Sequence, residues 1–561
     1  MVLLGSCLIA ATSCKKYLDV NTNPNSPIDV TPDLILPAAL AQTASDNVTF
    51  NSYGAWAGGY QANAGGYGGF GSVLTYNYST NDNNGLWSQS FSNLNDYQTI
   101  INKTDATGPY KNYFAIAKIM KAFCYLRLID VYNDVPYSDA LKGIGNLTPK
   151  YDKAEDIYKG LFGEINEAIT ALALPNNKQL TIKTSTSPNS SRIDIFTSGQ
   201  SDAAAFESAD GFPTAKWTQF ANTLKLKMLV RIRQVPSLAT TFTAEKAKLA
   251  GATFVTYDVK AQPGYVAGQN GKQNPSWNAY AYTYTGGTSN LTTIPTFYAL
   301  GFYDGHKLTD DVRGWGAYAP TITYREYTTG NQLGITDAFV KAAANPGGSF
   351  FTGTNNTSAS TGYGTLKGAI MAQPIMLAAE SYFIQAEANL FGIVAGNDAE
   401  NFAKGIRASQ RYLLTGANEA LQPDYAAEAD APEGNGAGLD SYQYYIDQNA
   451  GNYLVDYAVA ASNDEKLEAI ITQKWLAENY IQSNEGWSDF RRTGYPSITI
   501  PAGTSSANVK YFTFASVQSV STRPDKLPVR VLYPASEYAL NPTNVPSGIN
   551  AFTSRVFYDL N

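Results

Sequence analysis

One histidine, His306, stands in 561 residues, beside three cysteines. A Ser/His/Asp relay needs an imidazole placed beside its nucleophile, and zinc sites draw chiefly on His and Cys, so both chemistries are short of groups here. Carboxylate pairs are the next candidates, because glycoside hydrolases set two carboxyl groups about 5–9.5 Å apart. Glu380 and Glu387 are seven residues apart on one helix face, roughly 10 Å along the axis, which is too far. Glu485 and Asp489 would lie about 6 Å apart along a helix, but every acidic pair spaced i, i+4 meets that test. Arg491 and Arg492 follow as ion-pair partners, so hydrolysis is the remote reading and no enzyme is expected. Asn81-Asp82-Asn83-Asn84-Gly85 is oxygen-rich, yet its spacing departs from the twelve-residue calcium loop and it reads as a turn. No metal site and no cofactor are expected.

Rings are what the chain has in excess. Aromatic residues make up 13% with 39 Tyr, while charged residues reach only 16%, well below the usual quarter. Polarity therefore comes from Asn, Thr, Ser, Gly and Tyr. A net charge of −7 argues against nucleic acid, whose binding rests on clustered Lys and Arg. A sugar presents C–H groups on its ring face and hydroxyls around its rim, so its receptors need flat aromatic platforms flanked by short polar groups. Tyr and Trp supply such platforms at low entropic cost. Two segments without helical period concentrate them, Trp56 to Trp87 and about Gln262 to Tyr327. Long excursions of this kind are usually functional. Within them Trp56, Tyr67, Trp277, Tyr280, Tyr282 and Trp315 are the stacking candidates for a glycan, with Asn63, Gln273, Asn274 and Asn278 as hydrogen-bonding candidates.

The elements that must hold these segments are helices. Phe114, Ala117, Met120, Cys124, Leu128 and Val131 repeat near 3.6 residues within Tyr113 to Tyr132, which makes Cys124 a buried small hydrophobe. A second helix is predicted from Asp152 and Glu155 in capping-box spacing through Leu172, and a third along Trp217 to Ile232. A fourth spans 374–391, opened by Pro374 and stopped by Gly392, and a fifth about Asp464 to Gln482. No linker composition interrupts them, so residues 33–561 read as a single ligand-binding domain.

The N-terminus reads as an address. Val2 to Ala11 is apolar but far shorter than the roughly 20 residues that span a bilayer, and it fits a signal peptide over residues 1–13. No basic leader precedes it, which predicts a start further upstream. Ala11-Thr12-Ser13-Cys14 resembles a lipobox, making Cys14 the acylated residue. Leu4-Gly5-Ser6-Cys7 leaves almost no apolar run ahead of it. Residues 14–32 then form a lipidated tether, and the acyl chains would moor the protein to a membrane surface.

Ordered motifs resemble the SusD/RagB family. They are Asp19-Val20-Asn21-Thr22-Asn23-Pro24-Asn25 after the lipobox, then Asp130-Val131-Tyr132-Asn133-Asp134-Val135-Pro136-Tyr137-Ser138-Asp139-Ala140, where the family often has Gly at Asn133. Lys216-Trp217-Thr218-Gln219-Phe220, Ala379-Glu380-Ser381-Tyr382-Phe383 and Gly486-Trp487-Ser488-Asp489-Phe490-Arg491-Arg492 follow, with Leu527-Pro528-Val529-Arg530 near the end. The resemblance covers essentially the whole mature chain. It implies a mainly α SusD-like fold: a tetratricopeptide-repeat-like scaffold of helical pairs with long irregular loops and short β insertions. It also implies a cell-surface lipoprotein on the extracellular side of the outer membrane. Such a protein captures oligosaccharides for a SusC-like TonB-dependent transporter, over which it closes as a lid. Relatives resembling RagB take peptides, which stands as the alternative cargo.

Overall fold

A computed structural model of the protein describes residues 30–175, 214–318, 330–337, 350–351, 362–421 and 441–561. The signal peptide, Cys7, Cys14, nearly all of the tether and Tyr324 lie outside the described residues.

The chain is mainly α-helical. Its principal helices are α1 (Pro32–Ala57), α2 (Asn84–Lys103), α3 (Lys111–Tyr132), α4 (Ala154–Ala173), α5 (Thr214–Ile232), α6 (Ala378–Leu390), α7 (Asp398–Leu414), α8 (Asn463–Ala477) and α9 (Ser483–Thr493). Neighbours in sequence pack together, α1 with α2, α2 with α3, α3 with α4, and α6 with α7, while α1 also crosses α9. That crossing is close: a Cβ at Gly54 would overlap the Asn484 backbone, so only glycine permits it. Asn51 of α1 fastens the same junction, since its amide donates to Tyr480 O (3.1 Å) and its carbonyl accepts from Ser483 N (2.8 Å).

Several boundaries differ from the periodicity. Asp152 does not cap α4, because its carboxylate accepts from Tyr137 N, Ser138 N and Ser138 Oγ. Asp134 takes that role by accepting from Ala154 N at 3.0 Å. Pro374 opens no helix. Gln373–Met376 is a strand, β6, antiparallel to β4 (Val259–Ala261), and α6 begins only at Ala378. The predicted helix to Gln482 stops at Ala477, and Tyr480 takes a positive φ of 60° before α9 starts. Trp56 lies in the last turn of α1, and Ser72–Thr75 forms one helical turn, both within a segment that shows no helical period in sequence.

Two cores result. The first gathers α1 to α5, and Cys124 is fully buried in it as expected. The second is built around Trp475 of α8 from Tyr60, Trp277, Tyr298, Phe302 and Phe514. Burying each such side chain contributes on the order of 1.5–3 kcal/mol, so the excursions supply a core of their own.

Candidate functional site

The two Tyr- and Trp-rich segments meet as a sheet. Strand β1 (Gln61–Asn63) pairs antiparallel with β5 (Thr293–Pro295), setting Gln61 opposite Pro295 and Asn63 opposite Thr293. Asn63 is fully buried, donates to Ile335 O (2.7 Å) and accepts from Gly334 N (3.0 Å). Its amide thus closes the seam, with both polar ends occupied by backbone.

The second segment is anchored in the same way. Asn274 caps the short helix Pro275–Tyr280 by accepting from Trp277 N at 2.9 Å, and its amide donates to Met371 O at 3.0 Å. Trp277 is 0% exposed and packs against Tyr282 at 5.5 Å. The hydroxyl of Tyr280 donates to Val48 O on α1 at 2.9 Å, and its ring meets Tyr480 edge-on at 4.9 Å. Burial pushes the Tyr280 phenol well up, so this hydroxyl is a fixed donor across the physiological range. Gln273 is buried and donates to Tyr282 O (3.1 Å) and to Asn278 Oδ1 (3.4 Å).

The ten candidate residues therefore divide. Trp277, Tyr280, Tyr282, Asn63, Gln273 and Asn274 are buried and their contacts bind the two segments to the helices. Trp56, Tyr67 and Trp315 are half-buried, and Asn278 is exposed. Trp56 projects from the last turn of α1 and meets Phe70 edge-on at 5.9 Å. Tyr67 and Phe70 belong to the glycine-rich loop that follows β1, which Gly66 N pins by donating to Thr336 O at 3.2 Å. Trp315 sits in the helix Asp311–Ala317, capped by Asp310, which accepts from Arg313 N. Two rings outside the candidate set share this presentation. Phe70 stands against Trp56, and Tyr284 is 41% exposed within a turn closed by Thr283 and Gly287. A residue between turn-forming partners points away from the body, and Thr283-Tyr284-Thr285-Gly286-Gly287 carried that signal.

The carboxylates have a different environment. Glu485 lies within 2.5 Å of Lys227 Nζ and 2.8 Å of Arg231, Glu380 within 2.8 Å of Lys227, and Asp130 within 2.8 Å of Arg231. Asp489 pairs with Lys474 (2.7 Å) and Arg492 (3.0 Å), and Glu387 with Arg492 (2.5 Å). All are buried. Burial alone would lift Glu485, but Lys227 and Arg231 overcome it and hold the carboxyl at about 2. Asp489 is lowered likewise, burial being outweighed by Lys474 and Arg492. Such groups stay ionised and occupied, a poor state for a general acid. These contacts knit α3, α5, α6, α8 and α9 together. Among the described residues, no group of three or more His, Cys, Asp or Glu side chains could hold a metal ion. His306 stacks on Tyr511 at 3.5 Å with Nδ1 2.8 Å from Asp304.

The body is helical, these carboxylates are paired inside it, and Trp56, Tyr67 and Phe70 are half-buried at its edge. Residues 24–186 match a family described as starch-binding, associating with outer membrane, and residues 336–555 match the SusD and RagB outer-membrane lipoproteins. The chain belongs to the SusD/RagB family. Similar solved structures include a SusD homolog from Bacteroides fragilis, 20% identical over 95% of this chain and 99% of that one, with a TM-score of 0.64. A chitin-binding SusD homolog from Flavobacterium johnsoniae is 21% identical over 94% and 98%, with a TM-score of 0.61. A SusD homolog from Bacteroides uniformis is 23% identical over 94% and 99%, with a TM-score of 0.60. These likenesses establish the mainly α fold. Comparison with curated proteins finds no match. The family associates with the outer membrane and with carbohydrate, and no helix among the described residues is long and apolar enough to cross a membrane.

Proposed function

We propose that this protein captures oligosaccharides at the outer face of the outer membrane and passes them, unhydrolysed, to a SusC-like TonB-dependent transporter. Acylated Cys14 and the tether of residues 14–32 moor it, and residues 33–561 act as one ligand-binding domain. The observation that carries this reading is a set of half-buried rings, Trp56 at the end of α1 against Phe70, with Tyr67 on the same pinned loop as Phe70. These rings are half-buried, and the aromatic surface they leave to solvent is of the kind a sugar ring stacks upon. Trp315, Tyr284 and Asn278 extend the presented set. The family description and the chitin-binding relative support a glycan as cargo. Hydrolysis has no support in the buried carboxylates, which are spent on Lys and Arg.

Calorimetric titration of the purified chain with chitin-derived and starch-derived oligosaccharides, and with a mixed peptide pool, tests the cargo. Saturable binding of a neutral oligosaccharide that is recovered uncleaved is expected. Binding confined to peptides, or release of shorter sugars, contradicts the reading.

A further inference from the structure

Four stretches of the chain contain no Asp, Glu, Lys, Arg or His: residues 47–81, 273–303, 330–336 and 511–522. At the chain-wide charged fraction of 16% they would carry about fourteen such residues between them. The fold brings all four together. Strands β1 and β5 join the first two, and the side-chain amide of Asn63 bonds Ile335 O and Gly334 N of the third. The fourth runs along the first and third: Val517 N donates to Leu333 O and Val520 N to Thr75 O, each at 3.0 Å, while Ser516 N donates to the Tyr76 hydroxyl at 3.3 Å. Segments far apart in sequence thus make one bonded region without a charged side chain of its own, and Trp56, Tyr67 and Phe70 belong to it.

The surface of this region is apolar or neutral. Ser72–Thr75 is half-buried beside Phe70, and Val517 and Val520 are 56% and 52% exposed. Four charged groups that border it are already engaged. The Asp82 carboxylate accepts from Ser72 Oγ, Ser79 N and Ser79 Oγ, and Arg523 donates twice to Asp525, at 2.9 and 2.6 Å. The Lys307 ammonium is buried 3.4 Å over the Tyr298 ring, and that of Lys510 lies 3.8 Å over Phe297. A ligand carboxylate laid on this surface would exchange water for rings, hydroxyls and amides, with no cation from the four stretches in return, and a charge desolvated without a partner is expensive. The fixed charge of Asp82 adds repulsion. A neutral sugar gives up only hydroxyl hydrogen bonds, which Asn, Ser and Thr side chains can replace.

Building on the reading of these rings as the sugar site, we infer that the site selects uncharged oligosaccharides and turns away their uronate counterparts. Gly68 offers a place to reverse that preference. It is exposed, adjoins Tyr67, lies two residues before Phe70, and a Cβ added there meets nothing within 4 Å. Its φ is outside the left-handed region, so a lysine would bring an ammonium beside both rings without backbone strain.

The test is calorimetry of the full chain with chitin-derived and starch-derived trisaccharides, each against the same trisaccharide oxidised at C6 to carboxylates. Expected are a uronate affinity at least tenfold below the neutral one, and a neutral affinity that changes less than twofold between low salt and 0.5 M salt. Gly68→Lys should raise uronate affinity at least tenfold at low salt, Gly68→Gln should not, and both should keep the parent's unfolding midpoint. Equal or tighter binding of the uronate by the parent would overturn the inference and leave the sugar site standing, whereas binding of no saccharide would overturn both. A folded Gly68→Lys with no gain would also overturn it, because a missing cation would then not be what excludes the uronate.

Discussion

Trp277 and Trp56 stand for two ring-rich regions, the first sealed and the second half-presented. Around Trp277, three polar neighbours bond backbone: Asn274 caps the adjoining helix, Gln273 holds Tyr282 O, and Tyr280 is tied to α1. No ring there keeps a free face. Trp56, by contrast, meets Phe70 edge-on and packs on the second core yet stays half-buried. What separates a sealed ring from a half-presented one is therefore the fate of the amides beside it. The charges between the helices belong to the sealed side: they are paired and buried.

The largest expected effect falls on the sealed side. Trp277→Ala should cost about 3–5 kcal/mol, the usual toll of emptying a tryptophan-sized site in a packed core, measured by chemical denaturation. Arg231→Leu should cost a similar amount, about 3–5 kcal/mol, because Asp130 and Glu485 would be left buried without their shared cation. A loss under about 1 kcal/mol in either would erase the distinction drawn between the regions.

A smaller, opposite effect is expected at Glu478. Its two oxygens are buried without hydrogen bonds, Lys474 lies 3.6 Å away, and burial raises its carboxyl well above the ordinary range despite that ammonium. A carboxyl raised in the folded state favours folding below its unfolded pKa, and that advantage is lost as pH rises. Glu478→Gln should therefore lift the unfolding midpoint at pH 8 and do so progressively less toward pH 4. Glu485 has the reverse sign. Held at about 2 against about 4.3 in the unfolded chain, it stabilises above pH 4.3 and loses that contribution as pH falls toward 2. Identical midpoints for Glu478→Gln and parent at pH 8 would refute the assignment.

Much of the scaffold was legible in the sequence because burial on a helix has a period. The stripes through Met120, Ile165 and Met228 mark α3, α4 and α5 within a few residues. Boundaries were not, since they depend on partners distant in sequence: Asp152 was claimed by the Tyr137–Ser138 turn, and Pro374 by pairing with β4. The candidate segments were legible from composition, but which of their rings face outward was not. Trp277 and Trp315 look alike locally, and only the contacts of Asn274 with Met371 and Gln373 bury the first.

The most direct measurement pairs binding with stability in Trp56→Ala and Phe70→Ala, using whichever neutral oligosaccharide the parent chain binds. Both variants should unfold at the parent's midpoint while their affinity drops at least tenfold. Unchanged affinity in two properly folded variants would contradict the claim that this pinned, half-buried patch is where the sugar lands.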